Sequence, residues 1–126
     1  MLQKFFALML FTSLHAMAAT PAELLTGYTA QAGQPANAAQ GEAFFKASHG
    51  QAWQCTSCHG KSPMAGGRHA STDKAIEPLA PTANAKRFTD SAKVEKWFRR
   101  NCKDVLAREC TASEKADVLA WLISLR

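Results

Sequence analysis

Cys55-Thr56-Ser57-Cys58-His59 is the stretch on which the reading of this chain turns. Two thiols three positions apart, followed at once by an imidazole, form the attachment pattern of a c-type haem. The spacing has a chemical reason. Each thiol reaches one vinyl edge of the same porphyrin and forms a thioether. The imidazole beside the second thiol then lies under the ring plane as the proximal iron ligand. Cys55 and Cys58 are therefore the expected covalent anchors of one haem c, and His59 the expected axial ligand. The C-x-x-C part alone has other readings. A thioredoxin-like redox pair needs a βαβ setting, and no strand alternation flanks this one. A zinc site needs a second pair of ligands. The remaining cysteines, Cys102 and Cys110, are eight positions apart, wider than zinc pairs usually are. A four-cysteine disulfide framework is the third reading.

Upstream, residues 1–18 read as a secretory signal. Lys4 gives a short positive start, residues 5–14 an apolar run, and Ala16-Met17-Ala18 a small-residue cleavage site. The run is too short to span a bilayer, and no other segment approaches that length, so no stable membrane insertion is expected. An exported chain meets an oxidising compartment, where disulfides and covalent haem are both made. For a bacterial source that compartment is the periplasm. About 108 residues then remain, enough for one small domain. The chain has 15 Lys+Arg against 10 Asp+Glu, a formal net charge of +5, of which Lys4 belongs to the signal. Basic and acidic residues alternate except at Arg99-Arg100, so a nucleic-acid reader is not expected. A mixed, solvated surface is expected, with a weak basic face for an acidic redox partner as the alternative.

Helix signals are strong at both ends. Thr20-Pro21-Ala22-Glu23 is a capping box with proline at the first helical position, and Gly33 closes that helix after about residue 32. Gln34-Pro35-Ala36 is a linker. Asn37, with Gln40 three residues on, starts a second helix carrying Gly41, Phe44 and Phe45. A helical Gly costs up to about 1 kcal/mol against Ala, so Gly41 points to a close backbone crossing. Residues 60–89 show little periodicity and are punctuated by Pro63, Gly66-Gly67, Pro78 and Pro81. So long an irregular stretch needs a reason, and wrapping the edge of a haem is one. Pro78-Leu79-Ala80-Pro81 is expected to lie extended against the porphyrin. Asp90 caps a third long helix over residues 91–100, with Val94, Trp97 and Phe98 on its apolar side. Thr111-Ala112-Ser113-Glu114 opens the last, whose apolar stripe runs through Val118, Leu119, Leu122, Ile123 and Leu125. The expectation is an all-α fold of about four helices with long loops around one covalent haem.

At this point the residues resemble class I cytochromes c. Gly41-Glu42-Ala43-Phe44 before the haem motif, and Asp117-Val118-Leu119-Ala120-Trp121-Leu122 near the end, look like the crossing N- and C-terminal helices of that fold. The resemblance implies contact among Gly41, Phe44 and Trp121. It divides the chain into a signal (1–18), an N-terminal helix and linker (19–36) and a cytochrome c domain (37–126). A narrower resemblance rests on Phe44-Phe45, His49-Gly50, Trp53, the haem motif, Ile76-Glu77-Pro78-Leu79-Ala80-Pro81, Arg87-Phe88-Thr89-Asp90, Val94-Glu95-Lys96-Trp97, Asn101-Cys102 and Cys110-Thr111. These are similar to the SHP type of monohaem, oxygen-binding cytochromes c. A sister group, cytochrome c″, has His where this chain has Asn101. What the SHP resemblance implies is a disulfide between Cys102 and Cys110, and Asn101 as a sixth iron ligand that leaves on reduction. It also implies a redox partner cytochrome, multihaem or membrane-bound, and a small gaseous ligand.

The residues themselves leave the sixth ligand open. Electron-transfer cytochromes c commonly use Met. Met64 is the one Met after the signal, and it follows His59 by five residues. Five residues reach at most about 18 Å, too little for a path around the porphyrin, so Met64 reads as loop packing. His69, ten residues on, reaches about 35 Å and is not excluded by length. His49 is a loop residue before the motif. Asn101 ends the expected third helix, where Asn commonly caps in the left-handed conformation. As a ligand it would be weak, tolerated by the harder ferric ion and less by ferrous iron. The functional expectation is electron transfer coupled to binding of O₂, NO or CO at a site opened when Asn101 leaves. A plain carrier with a permanent sixth ligand, an O₂- or NO-converting haem enzyme, and a zinc- or disulfide-held module without haem are the alternatives.

Overall fold

The computed structural model describes residues 18–126; apart from Ala18, the expected signal lies outside the described residues. The elements are α1 (Pro21–Ala32), α2 (Ala38–Lys46), α3 (Cys55–His59), β1 (Gly67–Arg68), β2 (Ala75–Ile76), α4 (Ser91–Leu106) and α5 (Ala112–Ser124). The fold is all-α. Beyond the four expected helices it has the short α3 and a two-stranded antiparallel hairpin, with Gly67 opposite Ile76 and Arg68 opposite Ala75. The hairpin is too short for period-two alternation to announce it.

Local chemistry sets the helix starts. Thr20 Oγ1 accepts from Glu23 N at 3.2 Å while Thr20 N donates to Glu23 Oε2 at 2.7 Å. The same reciprocal box joins Thr111 and Glu114 at 3.1 and 2.8 Å. Asn37 Oδ1 accepts from Gln40 N at 3.1 Å, and Asp90 Oδ1 from Lys93 N at 3.0 Å. Each bond satisfies an amide that the first helical turn leaves without a partner.

Helix α4 runs six residues beyond the expected end at Arg100. Cys102 and Val105 continue its buried side, and the stop comes at Ala107, which takes φ 57° in the left-handed region. Asn101 is therefore a helix-interior residue, and the capping role that competed with ligation falls away.

The core is dominated by α5, which contributes Ala116, Val118, Leu119, Trp121 and Leu122 to a cluster with Tyr28, Phe45, Phe88 and Val94. Helix α2 crosses α5 at Gly41. A Cβ there would land on the Asp117 carbonyl and lie 2.7 Å from Val118 N. Asp117, itself buried, accepts from Asn37 N at 2.6 Å and fastens the start of α2 to the same place. The aromatic partner of Trp121 is Phe45 rather than Phe44, with ring centres 5.1 Å apart. Phe44 packs on His49 instead, at 4.5 Å. The helical rotation explains the exchange: Phe45, four residues after Gly41, shares its face. Gly41→Ala should thus invert the usual sign. In an open helix it stabilises by about 1 kcal/mol, whereas here overpacking against backbone should cost roughly 1–3 kcal/mol. Urea unfolding of the variant measures this as a lowered midpoint.

Helix α4 is attached differently. Tyr28 Oη donates to Glu95 Oε1 at 2.5 Å, and Lys115 Nζ donates to Glu95 Oε2 at 2.9 Å. The Tyr28 and Phe98 rings meet edge-to-face at 5.8 Å. Three helices, α1, α4 and α5, are joined through one carboxylate. Partial burial would raise Glu95, but the bonds from Tyr28 and Lys115 and the charges of Lys115 and Arg99 outweigh it and hold the carboxyl below its ordinary value. Among the described residues no helix is long and apolar enough to cross a membrane.

Candidate functional site

Cys55, Cys58 and His59 form one turn of helix, α3. Its entry is shaped by Gln54, whose N–H donates to Ser57 Oγ at 3.0 Å and whose carbonyl accepts from Ser57 N at 2.9 Å. Gly67 of β1 then lies directly on the end of this turn. A Cβ at Gly67 would strike the Cys58 carbonyl and come 2.9 Å from His59 Cα. Ala70 N donates to Cys58 Sγ at 3.3 Å, so the hairpin covers the motif from one side. From the other side Phe45 brings its ring to 6.0 Å from the His59 ring, linking the α2–α5 crossing to the imidazole.

Burial sets the electrostatics of the turn. Burial, helped by the nearby Arg87 charge, pushes the His59 imidazole down to about 4. It is neutral at physiological pH, the form that binds metals. Burial also pushes the Cys55 thiol up to about 11, and the neighbouring Cys58 adds to this. Neither cysteine is bonded to the other. Two unpaired thiols and a neutral imidazole on one turn, flanked by a glycine that leaves no side chain over them, fit a covalently attached haem. A zinc reading fits less well. Cys102 and Cys110 form a disulfide, Cα to Cα 5.6 Å, instead of a second thiol pair. Among the described residues no three His, Cys, Asp or Glu gather around a metal position.

Residues 77–80 are held in place by backbone bonds to Pro63 and by the Arg87 side chain. Leu79 N and Ala80 N donate to the Pro63 carbonyl at 2.9 and 3.0 Å. Arg87 Nε donates to Pro78 O at 2.9 Å and Arg87 Nη2 to Glu77 O at 2.7 Å. Sequence reasoning missed Arg87 as the fastener of this segment and Gly67 as the cover of the motif. A partly buried arginine nine residues past a proline carries no periodic signal, and Gly67 read only as punctuation.

Asn101 lies on α4, one residue before the bridged Cys102. It is exposed, and its carboxamide makes no side-chain hydrogen bond among the described residues. No hydrogen bond or ring contact joins it to α3. The two histidines that competed with it each make hydrogen bonds through one ring nitrogen. His49 Nε2 donates to the Phe44 carbonyl at 2.9 Å. His69 Nδ1 accepts from Ser71 N and Thr72 N, each at 3.3 Å, and its ring stands edge-on to Trp53 at 6.2 Å. Met64 is partly buried in the turn after Pro63.

The Cys102–Cys110 bridge ties the C-terminal part of α4 to the residue before Thr111, the cap of α5. Closing so short a loop is worth about 2.5 kcal/mol on the chain-entropy estimate. Cys102→Ser with Cys110→Ser should lower unfolding stability by about that amount, measured by urea titration of the haem-loaded protein.

A family model described as a domain of unknown function, DUF1924, matches residues 31–122. The cytochrome c-type protein SHP of Cereibacter sphaeroides is 50% identical over 107 residues, which are 82% of each chain. The solved structure of oxidised SHP, described as an oxygen-binding cytochrome c, superposes with a TM-score of 0.81 at 48% identity, covering 86% of this chain and 99% of that one. The crystal structure of oxidised cytochrome c″ from Methylophilus methylotrophus gives a TM-score of 0.72 at 36% identity, covering 84% and 94%.

Proposed function

The chain belongs to the DUF1924 family and, with SHP, to the c-type cytochromes that carry one haem c, and from that premise we propose that it is a periplasmic electron-transfer protein that binds a small gaseous ligand. The observation that carries the reading is the α3 turn, with two unpaired thiols and a neutral imidazole side by side. Bound there, the haem supplies a redox-active iron with an axial position for a diatomic ligand. The chain's own residues do the rest. Cys55 and Cys58 hold the group by thioethers, and His59 is the proximal ligand. Its protonation would compete with that role, and burial beside Arg87 keeps the imidazole neutral to about pH 4.

Asn101 would serve as the sixth ligand of the oxidised iron. A side chain that projects from a helix interior, exposed and without a hydrogen-bond partner, is available for ligation at no cost in capping. Its carboxamide is a weak donor, so the backbone that carries it must be restrained, and the adjacent Cys102–Cys110 bridge does this. Reduction would loosen so weak a ligand as Asn101, because ferrous iron favours softer donors, and would make room for O₂, NO or CO. Electrons arrive from a partner cytochrome. Absorption spectra of oxidised and reduced holoprotein, with and without CO, test this reading. A six-coordinate ferric spectrum, a high-spin ferrous one and rapid CO binding are expected. A ferrous form that refuses CO would identify a plain carrier instead.

A further inference from the structure

Asn101 stands between two anchors on α4. One residue on, Cys102 is bridged to Cys110. Six residues back, the Glu95 carboxylate is held from two other helices. Tyr28 Oη of α1 donates to Oε1 at 2.5 Å, and Lys115 Nζ of α5 donates to Oε2 at 2.9 Å. Helical geometry puts Glu95 about 9 Å from Asn101 along the axis and about 120° around it. The clasp is therefore made on a different side of α4 from the one Asn101 faces, and both of its donors are protein groups.

The clasp also has an apolar arm. The Tyr28 ring meets Phe98 edge-on at 5.8 Å, and the Lys115 ammonium lies 5.4 and 5.8 Å from the Tyr28 and Phe98 ring centres. Phe98 is one turn before Asn101, and helical rotation sets it midway between Glu95 and Asn101 around the axis. Contact thus runs without a break from α1 and α5, through Glu95 and Phe98, to the turn that carries Asn101. Tyr28 is buried, and burial with the bond to Glu95 pushes its phenol well above the ordinary tyrosine value. The hydroxyl therefore stays protonated and keeps donating. A buried phenol, a carboxylate and an ammonium brought together from three helices are more than the haem motif requires, since none of them belongs to it.

A carboxamide is a weak ligand, so the share of molecules in which it is bound depends on small displacements of the helix that carries it. The bridge fixes α4 after Asn101, and the clasp fixes it before. We propose that Tyr28 and Lys115 are positioning residues for the iron site: acting through Glu95, they hold α4 in the register from which Asn101 reaches the iron. That the clasp changes the iron's ligation rests on the reading of Asn101 above; the clasp itself does not. Helix α1, which contributes no residue to the haem motif, thereby takes part in setting the state of the iron.

Azide titration of the ferric holoprotein, followed by absorption, tests this. Azide must displace Asn101, so its apparent affinity rises with the fraction of molecules in which Asn101 is off the iron. Tyr28→Phe removes the hydroxyl and keeps the ring on Phe98. It should tighten azide binding about threefold or more, and in an Asn101→Ala background it should change nothing. Lys115→Met removes the other arm of the clasp and is read in the same way, so the test does not hang on one variant. Tightening of equal size in both backgrounds would show a general loosening of the fold and overturn the proposal. So would an azide affinity that neither clasp variant changes in the protein that keeps Asn101. The ligation reading is checked apart from this by Asn101→Ala alone, which should itself tighten azide binding. No tightening there would overturn both, whereas tightening there with none in the clasp variants would overturn only the positioning role.

Discussion

Cys55→Ala with Cys58→Ala should abolish covalent haem altogether. Mass spectrometry of the wild-type protein, purified from an exporting host, should show one haem added and the signal removed. The single variant Cys55→Ala should retain at most one thioether, and the double variant should show the polypeptide mass alone under denaturing conditions. His59→Ala is expected to keep the thioethers but lose the low-spin ferric spectrum, because the proximal ligand is gone. An unmodified wild-type polypeptide holding zinc would sink the haem assignment.

Asn101→Ala should convert the six-coordinate ferric spectrum to a five-coordinate or water-bound one, leaving the haem attached. Asn101→His should do the opposite and keep the site closed. An imidazole that favours the closed form by about 1.4 kcal/mol already holds about nine-tenths of the molecules shut, which slows CO binding to the ferrous protein about tenfold. Both substitutions lie on an exposed helix position, so the fold should tolerate them. If Asn101→Ala left the ferric spectrum and the CO rate unchanged, Asn101 would not be the ligand. The absence of any helix-capping duty at this position makes that outcome unambiguous, since nothing else ties the carboxamide down.

How much of this was legible in the chain follows from the range of the forces involved. The caps at Thr20, Asn37, Asp90 and Thr111 are set by neighbours three residues away, and the structure keeps every one. Gly41 announced a close crossing because a helix bears the cost of a glycine only for a tertiary reason. The haem motif was legible because its chemistry is written in five consecutive residues. Three features were not. The end of α4 is decided by Cys102 and Val105, whose burial depends on what packs beneath them, and the Arg99-Arg100 pair suggested an earlier stop. Whether Phe44 or Phe45 meets Trp121 turns on one residue of helical rotation. The Tyr28–Glu95 bond spans a sequence separation of 67, and no local pattern marks it.

The uneven ownership of the core has a consequence for motion. Of the nine buried cluster residues, α5 supplies five and α4 only Val94. Beyond that cluster, helix α4 is held by buried Val105, its partly buried Phe98, the Glu95 clasp and the bridge at Cys102. Elements with so small a share of apolar contacts open below the global unfolding free energy. Backbone amides late in α4 should therefore exchange with deuterium through a sub-global opening, while those of α5 wait for complete unfolding. Acid should widen the gap. The Glu95 carboxyl is held below its ordinary value, so its contribution is present above the ordinary carboxylate range and fades as pH falls through the folded value. The helix that carries Asn101 would then be the first cooperative unit to detach, and the bridge to Cys110 sets how far it travels.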